Sequence, residues 1–181
     1  MTVRAVAFLL LFVSCHQTTP KPKAQLALEY PLPEYSLFDS SCPYTFAYNQ
    51  LAKPEQLSFC GVTIDYPLLR GKLYITYFDL RSSSIDTLFQ DFEKRLELFG
   101  KNATRYDESA YENKENNVIG SYITLIGNAP ANLHFFGTDA QQHFITGSLL
   151  FEATPNYDSL APAIAYIQQD VRKLLESLAW N

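Results

Sequence analysis

Apolar side chains recur along this chain with two distinct periods. Ile85, Leu88, Phe89, Phe92, Leu96 and Phe99 fall on one stripe of a helix. Ser83 or Ser84 stands where an N-cap belongs, Asp86 suits the first turn, Lys94 and Arg95 lie toward the end, and Gly100 follows as a stop. Leu160, Ile164, Ile167, Val171, Leu174 and Leu178 form a second stripe, again three and four residues apart. Asp158 or Ser159 is placed to cap this helix, and Pro162 is tolerated in its first turn.

Elsewhere the period is two. Residues 42–48 alternate aromatic and small side chains, 57–66 place Cys60, Val62, Ile64 and Tyr66 on one face, and 72–78 are rich in β-formers. Strands over 118–126, 132–138 and 143–153 are separated by turn-forming segments 127–131 and 139–142, which predicts an antiparallel meander. Leu51 to Gln56, with Pro54, reads as a turn. Lys101 to Asn117 reads as a polar loop in which only residues 103–106 hint at a short strand. The expectation is an α+β domain: an antiparallel sheet of five to six strands covered by two helices. The order strands, helix, strands, helix resembles the Mog1/PsbP-like sandwich.

The amino terminus follows neither period. One positive charge at Arg4 precedes nine uninterrupted apolar residues, Ala5 to Val13. A membrane-crossing helix needs about 20, so the run fits the core of a secretory signal instead. Ser14-Cys15 then resembles a bacterial lipobox, in which the cysteine thiol carries diacylglycerol and the preceding peptide is removed, although Phe12 stands where leucine is usual. The alternative is an ordinary signal cleaved nearby, leaving Cys15 as a free thiol. On the lipoprotein reading residues 1–14 are the signal peptide, leaving 167 residues. Residues 15–36 are then a lipid-anchored tether, kept extended by Pro20, Pro22, Pro31 and Pro33, with its second half placed to lie on the domain. Residues 37–181 form a single globular domain.

Composition narrows the function classes. The protein is 47% hydrophobic and 18% charged, with a mean hydropathy of −0.11, which suits a folded body rather than a disordered or multi-span chain. Net charge is −5 with no basic stripe, so a nucleic-acid groove is not expected. With Cys15 acylated, Cys42 and Cys60 remain as an even pair in an oxidising compartment. A disulfide between them closes 18 residues and stabilises by about 3 kcal/mol in the chain-entropy account. Two buried thiols are the alternative.

Little else points to chemistry. There is no nucleophile elbow, P-loop or dinucleotide-binding glycine motif. Ser148 lies mid-strand rather than on a turn. His134 and His143 sit on neighbouring strands, where satisfied sheet histidines are the ordinary reading and a two-histidine set is short of the ligands zinc requires. No catalytic residue, metal or cofactor is therefore assigned. Twelve tyrosines leave room for a hydrated sheet face or for a partner surface. Loop residues Asn128, Asn132, Asn156, Tyr157 and Asp158 are the candidate interaction surface, with turn formation as the alternative.

Several segments carry a family likeness. They are Gly127-Asn128-Ala129-Pro130-Ala131-Asn132-Leu133-His134-Phe135-Phe136, His143-Phe144-Ile145-Thr146-Gly147-Ser148-Leu149, Pro155 to Ser159, Leu175 to Trp180, Cys42-Pro43-Tyr44 and Tyr66-Pro67. Together they resemble the gliding-motility-associated lipoprotein GldD family of the Bacteroidetes. The resemblance implies an envelope lipoprotein required for surface gliding and tied to the type IX secretion machinery, with no assigned catalytic residues. It makes the expected function a non-enzymatic accessory or assembly factor that contacts other gliding or secretion proteins from a periplasm-facing leaflet. A ligand-binding lipoprotein for a small molecule, glycan or peptide is the alternative. In that setting the sequon Asn102-Ala103-Thr104 is read as a chance match.

Overall fold

The computed structural model describes residues 30–181, and the signal segment, Cys15 and the tether up to residue 29 lie outside them. In chain order the elements are β1 (Tyr35–Phe38), β2 (Tyr44–Asn49), β3 (Lys53–Gln56), a 3-10 turn (Ser58–Cys60), β4 (Val62–Tyr66), β5 (Gly71–Asp79) and α1 (Ile85–Phe99). They continue with β6 (Ala103–Asn113), β7 (Val118–Gly127), β8 (Ala131–Thr138), β9 (His143–Phe151), α2 (Tyr157–Ser177) and β10 (Ala179–Trp180). Seven strands pair antiparallel in the order β3-β4-β5-β9-β8-β7-β6, and a second, three-stranded sheet runs β1-β2-β10. The class is α+β with two long helices, as the periodicity predicts.

Alternation on the central strands explains the layers. Leu133 and Phe135 of β8 join Ile145 and Leu149 of β9 and Ile167, Leu174 and Leu178 in one core, beneath α2 and the small sheet. The intervening positions point the other way. There Phe136 and Phe144 meet Phe89 and Phe92 of α1 edge-on, with ring centroids 5.1–5.5 Å apart. The seven-stranded sheet is thus covered on both faces, which is why Leu133, Phe135, Phe144 and Ile145 are all fully buried. Gly147 faces Phe135 across the ladder and leaves the space its ring fills, since a Cβ there would collide with it.

The differences from the sequence reading have physical causes. Residues 53–56 are a strand rather than a turn. Pro54 is accommodated because β3 is the sheet edge, where the missing N–H faces away from the ladder. The supposed loop 101–117 holds the eleven-residue strand β6, paired along its length with β7. The strand expected over 57–66 begins only at Val62, because the chain first turns through Ser58–Cys60. Ser84 occupies the N-cap of α1 as expected, whereas Asn156 rather than Asp158 or Ser159 occupies that of α2, and neither side chain makes a capping hydrogen bond.

The small sheet is fastened to the large one at one end and receives the incoming chain at the other. At one, Cys42 and Cys60 are disulfide-bonded, with Cα atoms 5.5 Å apart. The Tyr44 hydroxyl donates to the Cys60 carbonyl at 2.6 Å. Phe59 and Cys60 both hold left-handed backbone (φ 56° and 58°), a conformation costing about 1–2 kcal/mol per residue, and the Phe59 ring is 94% exposed. At the other end the incoming chain lies on the domain: the Tyr30 and Tyr166 rings pack 5.0 Å apart, and Gln50 N–H donates to the Glu34 carbonyl at 2.8 Å.

Candidate functional site

The sheet end where β7 finishes, β6 starts and α2 begins contains an open groove of about 840 Å³. That is within the range of about 300–1,000 Å³ usual for small-ligand sites. Asn102, Thr104, Asn128, Asn156, Tyr157 and Asp158 line it. Four of the five surface residues singled out from the sequence are therefore brought together. Asn128 is held in place because its Oδ1 accepts the Tyr157 N–H at 2.9 Å, fixing the β7–β8 turn to the first residue of α2.

Asn132 is not part of that surface. It is buried, and its Nδ2 donates to the carbonyls of Leu125 (2.8 Å) and Gly127 (2.9 Å). Its role is to hold the turn that carries Asn128. Gly127 has φ +128°, and a Cβ there would come within 2.6 Å of the Asn102 carbonyl oxygen, so β6 crosses close beneath the turn. Thr104 donates to the Ile126 carbonyl at 3.1 Å and completes the floor. Asn102 and Thr104 were legible only as a sequon; no spacing rule joins them to Asn128 or Asn156.

Electrostatically the groove is mild. Burial, then the neighbouring Asp107 carboxylate, push the Tyr157 phenol above its ordinary value, while Arg105 opposes the shift. Arg105 and Asp107 form a 2.7 Å ion pair on the adjoining strand. Three amides, a hydroxyl, a phenol and a carboxylate offer donors and acceptors in comparable number. Such a surface suits neutral polar groups, such as a peptide backbone or hydroxyls, better than a bare anion.

The two sheet histidines lie on opposite faces. His134 is fully buried and stacks against Phe99, with ring centroids 5.5 Å apart. Its Nε2 lies 3.0 Å from the Ala131 carbonyl, which can only accept, so Nδ1 is the acceptor for the Ser148 hydroxyl at 2.8 Å. Burial drives its pKa down to about 4, leaving the ring neutral. His143 instead stacks on Trp180 at 5.1 Å, with Nδ1 2.9 Å from the Tyr77 hydroxyl, at the rim of a second open groove of about 430 Å³. Among the described residues no group of three or more His, Cys, Asp and Glu is placed to hold a metal ion.

A further polar cluster was missed from sequence. Asp170 is 4% exposed and accepts from Tyr35 Oη (2.8 Å) and Asn49 Nδ2 (3.0 Å). Asn49 Nδ2 also lies 3.0 Å from the Tyr166 hydroxyl oxygen, and that hydroxyl donates to the Pro31 carbonyl at 3.0 Å. Burial raises the Asp170 carboxyl above its ordinary value, although the hydrogen bonds it accepts work against the shift. Burial and the adjacent Asp170 raise the Tyr66 phenol strongly. The available signal was a carboxylate three residues beyond Ile167, on the apolar stripe itself.

Comparison with known proteins agrees with the family likeness. No match was found among curated proteins. Among solved structures, the solution structure of cyanobacterial PsbP (CyanoP) from Synechocystis sp. PCC 6803 superposes with a TM-score of 0.49 at 9% identity, covering 83% of this chain and 95% of that one. The family model described as gliding motility lipoprotein GldD matches residues 15–180, nearly the whole chain. The protein belongs to the gliding motility lipoprotein GldD family.

Proposed function

We propose that this protein is a non-enzymatic accessory or assembly factor of the gliding and type IX secretion machinery, held to the envelope by acyl chains on Cys15 and acting through protein contacts. On this reading residues 1–14 are removed, residues 15–36 form a tether whose last residues lie on the domain and open β1 at Tyr35, and the working domain faces the periplasm from its leaflet. The observation that carries it is the family match, which begins at Cys15 itself, the residue a lipoprotein would present as its modified amino terminus. Two or more acyl chains there would make attachment effectively permanent, since each buried methylene contributes about 0.8 kcal/mol.

The groove between Asn102 and Asp158 is the contact surface of this proposal, because its balanced donors and acceptors suit a polypeptide backbone. Its volume also admits a small polar molecule, which keeps a ligand-binding reading as the alternative. The test is a strain carrying Asn156→Arg and Asp158→Arg in the native gene. Spreading and co-purification of envelope partners should fall while the amount of membrane-held lipoprotein stays constant. Normal spreading by a strain lacking the gene would overturn the gliding role. Normal partner recovery by the double variant would overturn the groove as the contact surface.

A further inference from the structure

The end of the domain where the chain arrives from the tether is an apolar surface rather than a pocket. Tyr30 packs on Tyr166 there, and Pro31 is held through its carbonyl by the Tyr166 hydroxyl. Tyr30, Pro31, Leu51, Leu68 and Leu69 together line a cleft of only about 20 Å³, room for about one water and far too small for a ligand. Around it the apolar tips stand outward: Leu32 is 91% exposed, Leu68 76% and Leu51 38%. Single exposed leucines are ordinary. Here Leu51 and Leu68 share one cleft with Tyr30 and Pro31, and Leu32 is the next residue along.

The position of this patch identifies its occupant. Cys15 lies fifteen residues before Tyr30, at most about 50 Å of extended chain, and the tether joins the domain at the patch itself. We infer that Leu32, Leu51 and Leu68 dock in the headgroup and acyl boundary of the same leaflet that holds the Cys15 lipid. This rests on the acylation proposed above. Interfacial elements bury their apolar faces about 5–10 Å into that boundary, so the turns that carry Leu51 and Leu68 would enter it together with their side chains. Arg70 closes the same four-residue turn as Leu68, is exposed, and lies within reach of headgroup phosphates. Docking here sets the domain upright: Trp180 pairs with Tyr44 at the far end of β2, a strand's length from the Leu51 turn.

That geometry supplies the experiment, because Trp180 is the protein's single tryptophan. The mature protein, its amino terminus read by mass spectrometry, is reconstituted into phosphatidylethanolamine–phosphatidylglycerol vesicles containing acyl-brominated phosphatidylcholine. Trp180 should keep its fluorescence. A Leu68→Trp reporter in a Trp180→Phe background should lose roughly half of its emission and shift to the blue. Leu32→Trp in the same background is a second reporter for the case in which Leu68→Trp disturbs the β4–β5 turn, and it should be quenched alike. Unquenched reporters on acylated protein that floats with the vesicles would overturn the docking and leave the anchor standing. Protein that carries no lipid and fails to float would overturn the anchor and the docking with it. Disulfide-linked dimers of a Leu68→Cys variant, without quenching of either reporter, would assign the patch to a second copy and also overturn the inference.

Discussion

The hydroxyl of Tyr35 donates to the carboxylate of Asp170 across 2.8 Å, so the first strand of the fold hangs on a charge buried in its last helix. Asn49 of β2 shares that carboxylate, and no lysine or arginine is bonded to it among the described residues. Asp170→Ala would orphan the Tyr35 hydroxyl and remove the Asn49 contact, and it should destabilise by about 3 kcal/mol in urea denaturation. Asp170→Asn keeps one acceptor oxygen for Tyr35 and removes the buried charge, but turns an NH2 toward the Asn49 amide, so it should lose less, about 1–2 kcal/mol. Equal losses for the two variants would mean that both carboxylate oxygens are required.

His134 gives the fold an acid-sensitive element. Its pKa is about 4 when folded against about 6.5 when unfolded. Between those values the unfolded chain binds the proton and the folded one does not, so stability is full above pH 6.5 and declines as pH falls toward 4. The loss by pH 4.5 should be about 2–3 kcal/mol. His134→Gln should remove that dependence, which urea titrations at pH 7 and 4.5 would register.

Reduction of the Cys42–Cys60 bond should lower stability by about 3 kcal/mol through the entropy of the 18-residue loop. The disulfide also helps hold Phe59 and Cys60 in left-handed backbone, so the turn should relax when it is opened. Denaturation followed by Trp180 fluorescence, with and without reductant, measures the first effect. Faster amide exchange confined to residues 57–61 would report the second.

Asn132→Ala should cost about 2 kcal/mol, because it strips the buried Leu125 carbonyl of this donor and leaves the half-buried Gly127 carbonyl with the Ala129 N–H alone. Asn128→Ala should leave global stability within about 0.5 kcal/mol, as exposed positions usually do. It should nevertheless accelerate amide exchange at Tyr157, whose N–H it releases. Thermal melts separate the two variants, and unchanged exchange at Tyr157 would show that the turn and α2 are held together by something other than Asn128.

Periodicity carried most of the fold. Both helices were legible because each buries one continuous stripe, and the β7–β8–β9 meander because turn residues separate its alternating runs. β6 was not, because side chains on both of its faces are largely exposed and Arg105, Asp107, Glu108 and Glu112 erase any alternation. β3 was hidden by Pro54, and the small sheet by the prolines that precede β1 and by the two-residue length of β10. Of the candidate groove, the Asn128 and Asn156–Asp158 loops were legible as polar tips, whereas their union with Asn102 and Thr104 depends on β6, the strand that the pattern concealed.

β6 has a further consequence. Among the described residues it leaves the outer row of an eleven-residue backbone ladder without a neighbour, a shape that invites identical molecules to zip together. Copies leashed to one bilayer by the acylation proposed at Cys15 would stand side by side in matching orientation, the arrangement in which such zipping is easiest. Glu108 and Glu112 on that margin would then meet their own counterparts and repel, keeping a crowded two-dimensional population dispersed.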